Sequence, residues 1–324
     1  MTLAATAPGL RRVVALDDGY AAYDQEQALL AEVGASFELH PCRGDPDAAT
    51  EAVREAEVVL VRESPVPRRL IESMQRCKAI IRYGIGVDNI DQQAAGERRI
   101  MVANVPDYGI DEVSSQAVAL ALAVARRLLP HDRAVRAGRW PGVVAPMYRF
   151  RGRTLGLIGY GRIARMTHDK LAGFGFGQVL VHDPVAELPA GVQAASVDRL
   201  CAEADLISLH APLTEHTRHL IDARRLALMR PTAILVNTAR GGLVDLDALQ
   251  QALQAGRLLG AGLDVYETEP PDARQALFGL DNVVVTNHIG WYSEEAMREL
   301  QRKAAEEVQR VLRGQAPRHW LNRW

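Results

Sequence analysis

Short apolar runs alternate with polar or helix-like stretches along the first third of the chain. The runs lie at Arg12–Leu16, Val58–Val61, Ala79–Ile81 and Met101–Asn104. Runs of this length are typical of buried strands, and the stretches between them are long enough for helices. The pattern therefore predicts a small α/β domain with a parallel sheet.

The same alternation continues after residue 150 and predicts a second sheet. Six apolar runs indicate six strands, which would complete a doubly wound parallel sheet. The runs comprise Leu155 with Leu157 and Ile158, then Val179–Asp183, Asp205–Leu209, Ala233–Val236, Gly260–Val265 and Val283–Thr286. Asp245–Ala255 is expected to form a helix between two of these strands.

Two longer segments predict helices. Glu112–Leu129 is almost continuously apolar, so we expect a helix that is buried on most sides, between two domains or two subunits, and that Pro130 stops. Glu294–Leu312 is amphipathic and is followed by Arg313-Gly314, a typical helix end. Periodicity alone does not indicate which domain this last helix packs against.

The composition narrows the possible partners. A length of 324 residues predicts two domains, and a net charge of −2 favours neither nucleic acid nor a membrane surface as a partner. Cys42, Cys77 and Cys201 are isolated and lack metal-ligand spacing, so we expect no metal and a reducing cytoplasm. No apolar stretch is long enough to span a bilayer, and residues 1–12 do not resemble a signal peptide.

Small residues follow the first strand of the second half at a spacing typical of dinucleotide-binding turns. Gly159, Gly161 and Ala164 would allow a tight turn, close backbone approach to a pyrophosphate, and close helix packing. Asp183 ends the next strand, where a carboxylate that binds a ribose 2′-OH is expected. A 2′-phosphate would face a like charge there, and Pro184 stands where NADP-binding proteins often have arginine, which favours NAD over NADP. Asp183 could instead be only a turn residue.

Three polar segments follow predicted strands, at the sheet edge where open α/β sheets bind ligands. They carry Arg240, Glu269 and His288. Arginine can bind a substrate carboxylate and polarise the neighbouring carbonyl, and histidine can protonate the carbonyl oxygen as hydride arrives. Glutamate can hold the imidazole and stabilise its charged form. The set suits the reduction of a 2-oxoacid, although each residue alone could be a solvated or turn residue.

Several motifs, in the expected order, resemble the D-isomer-specific 2-hydroxyacid dehydrogenases. The motifs are the Gly159–Ala164 turn with Asp183, NTARGG around Arg240, LDVYETEP around Glu269, TNHIGW around His288, RYGIGVDNID at Arg82–Asp91 and NVP at Asn104–Pro106. HIGWYSEEAMREL and SLHAPLTEHT are similar to the branch that contains the C-terminal-binding proteins. Asn287 is a departure, since much of the family has proline there.

The resemblance implies a fold of two Rossmann-like domains, doubly wound around parallel sheets, with the active site in the interdomain cleft. The substrate-binding domain would comprise residues 1–107 and 293–324, because the last helix crosses back to it, and the NAD-binding domain residues 108–292. Arg240 would bind the substrate, His288 would be the acid/base, and Glu269 would hydrogen-bond to His288.

The resemblance also implies two sets of ligand-binding residues. The cofactor-binding residues would be Gly159, Gly161, Arg162, Ile163, Asp183, His210, Ala211, Pro212, Thr217, Thr238, Ala239, Asp264 and Gly290. The substrate-binding residues would be Arg82, Tyr83, Gly84, Ile85, Gly86, Arg240 and Trp291, with backbone N–H groups of residues 83–86 around the substrate carboxylate.

The implied function is hydride transfer between NAD(H) and a 2-oxoacid or D-2-hydroxyacid, in a homodimer or a tetramer. Alternatives are an NAD(H)-sensing binding protein and a phosphoglycerate dehydrogenase or glyoxylate/hydroxypyruvate reductase. The site segments offer no cation cluster beyond Arg240 and Arg82, and Trp291 follows close behind His288. We therefore expect a substrate with an apolar or aromatic tail rather than a phosphorylated one.

Overall fold

A computed structural model describes residues 11–42, 44–140, 142 and 145–324. The segment 1–10, most of the stretch predicted not to be a signal peptide, lies outside the described residues. The chain divides into two compact units. One comprises the chain up to Gly109 together with Ser293–Trp324, and the other comprises Ile110–Tyr292. Among the described residues, no helix combines the length and apolarity needed to cross a membrane.

The first unit contains a five-stranded parallel sheet. Its strands are β1 (Arg11–Ala15), β2 (Ala35–Leu39), β3 (Val58–Val61), β4 (Ala79–Arg82) and β5 (Met101–Ala103), in the order β2-β1-β3-β4-β5. This is a doubly wound order, in which ligands bind at the carboxyl ends of the strands. Its first helices are α1 (Asp24–Ala31), α2 (Pro46–Val53), α3 (Arg68–Ser73) and α4 (Gln92–Glu97).

The second unit contains a seven-stranded parallel sheet. Its strands are β6 (Thr154–Ile158), β7 (Gln178–His182), β8 (Val192–Ala194), β9 (Leu206–Leu209), β10 (Ile234–Asn237), β11 (Gly260–Leu263) and β12 (Val283–Val285). The order β12-β11-β10-β9-β6-β7-β8 is that of a Rossmann sheet with one added strand, and it reverses between β6 and β9. Its helices are α5 (Ile110–Ala125), α6 (Leu128–Arg136), α7 (Arg162–Leu171), α8 (Val197–Glu203), α9 (Ala223–Leu228) and α10 (Leu246–Gln254).

The predicted helix over Glu112–Leu129 is wrong at its end. The helix α5 ends at Ala125, and Arg127 takes a left-handed backbone conformation (φ 51°) before α6 begins. Pro130 does not stop a helix; it lies in the first turn of α6, where proline is tolerated because the missing N–H has no helical partner. Within its unit, α5 packs on α7, β10, β11 and β12.

The last helix, α11 (Glu294–Leu312), belongs to the first unit and packs on α1. Ser293 caps its first turn, and Gly314 follows it with φ 77°. The Gln301 amide donates to the carbonyl oxygen of Ala22 (2.8 Å), and the Gln309 amide donates to that of Leu29 (2.5 Å).

Candidate active site

The turn from β6 to α7 has the shape of a phosphate-binding turn. Gly159 has φ 85°, and a Cβ there would lie 2.7 Å from backbone atoms of His210 and Ala211. Gly161 begins α7, and a Cβ there would meet nothing within 4 Å. The open space in front of Gly161 and the N–H groups at the helix N-terminus fit a pyrophosphate.

Asp183 lies directly after β7 and bonds to three backbone N–H groups. It accepts from Tyr160 (2.7 Å), Val185 (2.9 Å) and Ala186 (2.8 Å). Burial raises the pKa of the Asp183 carboxyl, but these N–H groups outweigh it and hold that pKa below its usual value. Asp183 thus supports the glycine turn, and its remaining lone pairs can still accept from a ribose hydroxyl.

The segment after β9 supplies a neutral imidazole beside the glycine turn. The His210 N–H donates to the carbonyl oxygen of Ile158 (2.7 Å), and its Nε2 lies 2.9 Å from Ser208 Oγ. Burial lowers the pKa of His210 to about 4, so the ring carries no charge at neutral pH. Thr217 Oγ1 donates to the carbonyl oxygen of Pro212 (2.7 Å), which closes the loop.

The segment after β10 carries Thr238, Ala239 and Arg240. Thr238 Oγ1 is buried and has no hydrogen-bond partner among the described residues, as expected of an atom that bonds to a ligand. Arg240 Nη1 donates to the carbonyl oxygen of Ala239 (2.7 Å). A Cβ at Gly241 would lie 1.8 Å from the carbonyl carbon of Tyr266, so the loops after β10 and β11 touch through their backbones.

Glu269 and His288 form a pair at the ends of β11 and β12. His288 Nδ1 lies 2.6 Å from Glu269 Oε2, and Glu269 Oε1 accepts from the Tyr266 N–H (2.9 Å). Burial raises the pKa of the Glu269 carboxyl, but the bonds from His288 and Tyr266 and the charges of His288 and Arg240 lower it below its usual value. The carboxylate is therefore ionised at neutral pH and can stabilise a charged imidazole.

Asp264, at the end of β11, binds the loop that carries His288. Its carboxylate accepts from the N–H groups of Ile289 (3.0 Å) and Gly290 (2.9 Å). Its backbone carbonyl oxygen accepts from the His288 N–H (2.7 Å). A Cβ at Gly290 would lie 2.7 Å from Asp264 Oδ2, so the close approach requires glycine. Asp264 and Gly290, both predicted to bind the cofactor, thus also hold the loop that carries His288.

Trp291 follows this loop and packs edge-to-face on Tyr292, with the ring centroids 5.5 Å apart. The Trp291 side chain is half-buried, and Asn287 is exposed. The geometry of Trp291 is compatible with a packing role as well as with a role in a substrate pocket.

In the first unit, Arg82 lies over the loop that follows β4. Its Nη1 donates to the carbonyl oxygen of Tyr83 (2.5 Å). Gly84 has φ 142°, and a Cβ there would lie 1.5 Å from Arg82 Nη1. Only glycine therefore leaves room for the guanidinium in this position.

Two of the four amides expected to hold the substrate carboxylate already have partners. The Tyr83 N–H donates to the carbonyl oxygen of Val61 (2.8 Å), and the Gly84 N–H donates to that of Arg82 (3.0 Å). The candidates that remain are the amides of Ile85 and Gly86.

The Tyr83 side chain is anchored behind this loop. Its hydroxyl donates to Glu26 Oε1 (2.9 Å), and the Gln301 amide donates to the same oxygen (3.1 Å). Glu26 is fully buried, and burial raises the pKa of its carboxyl.

Sequence reasoning missed a polar group at the ends of β1 and β3. Asp17 accepts from the N–H groups of Arg62 (2.6 Å) and Ser64 (3.0 Å), and the Arg62 guanidinium lies 5.6 Å from the ring centroid of Tyr20. The Tyr20 hydroxyl is buried without a hydrogen-bond partner among the described residues. Asp17 and Arg62 could have been predicted as site residues from their position in the sequence, because both come just after a buried strand. The expectation that the site segments offer no cation cluster beyond Arg240 and Arg82 stays a prediction, and Arg62 adds a single guanidinium beside Tyr20.

Known proteins resemble this chain over most of its length. Residues 118–290 match the family model described as D-isomer specific 2-hydroxyacid dehydrogenase, NAD binding domain. Glyoxylate reductase of Thermococcus litoralis is 39% identical over 84% of this chain and 86% of its own length. D-3-phosphoglycerate dehydrogenase of Methanocaldococcus jannaschii is 39% identical over 84% of this chain, which spans only about half (53%) of that relative.

A solved structure shows the same architecture. The crystal structure of D-lactate dehydrogenase from Aquifex aeolicus, complexed with NAD and lactic acid, matches with a TM-score of 0.85 at 28% identity. The match covers 94% of this chain and 96% of that chain.

Proposed function

Because this chain belongs to the D-isomer-specific 2-hydroxyacid dehydrogenase family, we propose that it transfers a hydride between NAD(H) and a 2-oxoacid or D-2-hydroxyacid. The observation that carries the proposal is the His288–Glu269 pair, whose Nδ1–Oε2 distance is 2.6 Å. A carboxylate bonded to one nitrogen of an imidazole favours the charged ring, which is the form that donates a proton in the reduction.

Each of the three catalytic residues has a separate task. His288 Nδ1 is held by Glu269, so Nε2 is the nitrogen that gives a proton to the substrate carbonyl oxygen and takes it back in the oxidation. Glu269 stays ionised and stabilises the positive ring. Arg240 binds the substrate carboxylate through its planar fork and polarises the carbonyl beside it. In the first unit, the amides of Ile85 and Gly86 and the Arg82 guanidinium are the groups we assign to the substrate carboxylate.

The cofactor-binding residues act as fixed hydrogen-bonding groups. When bound, NAD(H) supplies or accepts the hydride. The amides of Arg162 and Ile163 at the N-terminus of α7 bind the pyrophosphate, and Asp183 binds the adenosine ribose. The orphaned Thr238 hydroxyl bonds to the nicotinamide side, and residues 210–217 line the adenine half.

The substrate that we propose is a short 2-oxoacid such as glyoxylate or pyruvate. Relatives named as glyoxylate reductase and D-lactate dehydrogenase, matched over 84% and 94% of this chain, support this proposal. The apolar-tail preference expected from Trp291 stays a prediction, and a substrate panel separates the two.

The test is NADH oxidation with glyoxylate, pyruvate, phenylpyruvate and 3-phosphohydroxypyruvate. We expect kcat/KM above about 10⁴ M⁻¹s⁻¹ for at least one short 2-oxoacid, as for ordinary enzymes. His288→Gln should abolish turnover while NADH still binds. Tight NADH binding with no turnover of any 2-oxoacid would instead support the NAD(H)-sensing alternative suggested by the C-terminal-binding-protein-like motifs.

We also propose a cytoplasmic homodimer. The apolar side chains of Leu128, Val135 and Trp140 are 53%, 55% and 90% exposed along and just after α6, an arrangement that favours contact with a second copy of the chain. We place this surface on α6, whereas the sequence analysis expected the helix predicted over Glu112–Leu129 to supply it. The three cysteines are free, which suits a reducing compartment.

A further inference from the structure

The backbone of His288 has a conformation that needs outside support. Its φ is 54°, in the left-handed region that residues with a Cβ adopt rarely. The residue is exposed, so packing of its own side chain does not fix it. Such a conformation persists only where surrounding contacts over-determine it.

The Asp264 carboxylate supplies this support from the neighbouring strand. It is 2% exposed and accepts from the Ile289 and Gly290 N–H groups on one side of the loop and from Thr286 Oγ1 (2.5 Å) on the other. The loop is thus held on both sides of His288 by a single buried side chain.

A hydrogen-bond chain extends from this carboxylate to helix α5. Gln116 Nε2 lies 2.9 Å from Thr286 Oγ1. A carboxylate can only accept, so the Thr286 hydroxyl must donate its proton to Asp264 and accept from the Gln116 amide. Every bond then has a defined direction, and the position of the Asp264 carboxylate is fixed from two sides.

We propose that Gln116 and Thr286 are positioning residues for His288, acting through Asp264. They fix the carboxylate that holds the His288 loop and thereby keep the imidazole in line with Glu269 and the substrate carbonyl. The role rests on the proposed function of His288 as proton donor. Thr286 begins the TNHIGW motif but is not among the predicted ligand-binding residues, and Gln116, 170 positions away in the chain, lies outside every motif named above.

The variant Thr286→Val tests this, because it removes the hydroxyl and keeps the side-chain shape, and Thr286→Ser restores the hydroxyl. The matched control is Thr232→Val. The Thr232 hydroxyl likewise donates to a buried carboxylate, Asp205 (3.1 Å), and accepts from Arg153 (3.4 Å). These residues lie at the amino ends of the strands, away from the candidate site. A second test variant, Gln116→Leu, keeps the proposal testable if Thr286→Val does not fold.

Two measurements are made on every variant. Hydrogen exchange followed by mass spectrometry reports the protection of residues 286–292, and steady-state kinetics with NADH and glyoxylate report kcat and KM. We expect Thr286→Val to speed exchange in that segment about tenfold and to lower kcat about tenfold, the size of one lost charge-assisted hydrogen bond, with KM for NADH within about twofold. Gln116→Leu should shift both values in the same direction, by less. Thr286→Ser should recover both, and Thr232→Val should change neither.

Unchanged exchange of residues 286–292 in Thr286→Val would overturn the proposal. A fall in kcat equal to that of Thr232→Val would also overturn it, since it would reflect stability alone. If the wild-type protein turns over no 2-oxoacid, the proposed function fails, while the exchange measurement still decides whether the hydrogen-bond chain holds the loop.

Discussion

Replacing Asp183 with alanine should separate two tasks of one carboxylate. In the structure it accepts from the N–H groups of Tyr160, Val185 and Ala186, and we propose that it also binds the adenosine ribose. Removal of the carboxylate should therefore produce one loss common to NADH and NADPH, from the turn, and one loss specific to NADH, from the ribose.

The contribution of Asp183 to the stability of the turn, which both cofactors need, can be estimated from burial. Val185 is 89% exposed, so water can replace the carboxylate at its N–H, whereas Tyr160 is 2% exposed and its N–H lies within the glycine turn. Leaving one buried donor unsatisfied costs about 1–3 kcal/mol. We expect Asp183→Ala to lower the free energy of unfolding by about 2 kcal/mol, measured by urea denaturation.

The specific loss concerns the ribose. A hydrogen bond to a charged acceptor contributes about 1.5–3 kcal/mol, which corresponds to a weakening of NADH binding by roughly 10–100-fold. NADPH loses no such bond and gains from the removal of a like charge. The ratio of the two dissociation constants, measured by calorimetry, should therefore narrow at least about tenfold. Asp183→Asn, which keeps the shape and one acceptor oxygen, should fall between the wild type and Asp183→Ala. Equal weakening for both cofactors would show that Asp183 serves only the turn.

The same carboxylate predicts a pH dependence of stability. The pKa of Asp183 is lower in the folded protein than its usual value, so its contribution to the free energy of unfolding is fully present above the unfolded pKa of about 3.9. The contribution is lost as the pH falls through the lower folded pKa. The stability difference between the wild type and Asp183→Ala should be constant from pH 7 to about pH 5 and shrink below about pH 4. A difference that persists undiminished at pH 2.5 would contradict the ionised hydrogen-bonded state.

Three further predictions follow from the site and the surface. Glu269→Gln should lower kcat for glyoxylate reduction by about tenfold or more with the dissociation constant of NADH unchanged, since it removes the charge that stabilises the imidazolium; an unchanged kcat would refute this role. Trp291→Ala should raise KM for phenylpyruvate about tenfold and leave glyoxylate unaffected if the indole packs on the substrate tail, and equal effects would make Trp291 a packing residue. Val135→Glu should convert the dimer to a monomer of 35.5 kDa in light scattering, whereas a wild-type mass of 35.5 kDa would contradict the dimer.

The sequence predicted the strands whose burial is complete. β3, β6, β9 and β10 are buried at every position, and each corresponds to an apolar run. The two strands that the pattern missed lie at sheet edges: Ala35–Leu39 is half-buried throughout, and Val192–Ala194 is mostly exposed. An edge strand pairs on one side only, so its sequence need not be apolar, and hydrophobic periodicity cannot reveal it.

The chemistry of the candidate site was predictable where a residue follows a buried strand. Asp183, Arg240 and His288 were predicted from such positions, because the carboxyl ends of parallel strands meet at one edge. The bonds that fix these residues were not predictable. The hydrogen bond from the Tyr160 N–H to Asp183 joins distant parts of the chain, and so does the one from Gln116 to Thr286. No local pattern encodes such a pair.

The loops after β10, β11 and β12 are bound to one another closely enough to act as one body. Gly241 has no room for a Cβ because the Tyr266 backbone lies against it. The Tyr266 hydroxyl donates to the carbonyl oxygen of Thr286 (2.8 Å), which joins the loops after β11 and β12. The Asp264 N–H donates to the carbonyl oxygen of Asn237 (2.9 Å), which joins the ends of β10 and β11. Residues that share such a network do not contribute independently, so the effects of substitutions at Asp264, Thr286 and Tyr266 should not add. The same coupling explains how an exposed histidine keeps a strained backbone, because its position is set by bonds to the loops at the ends of the buried strands rather than by burial of its side chain.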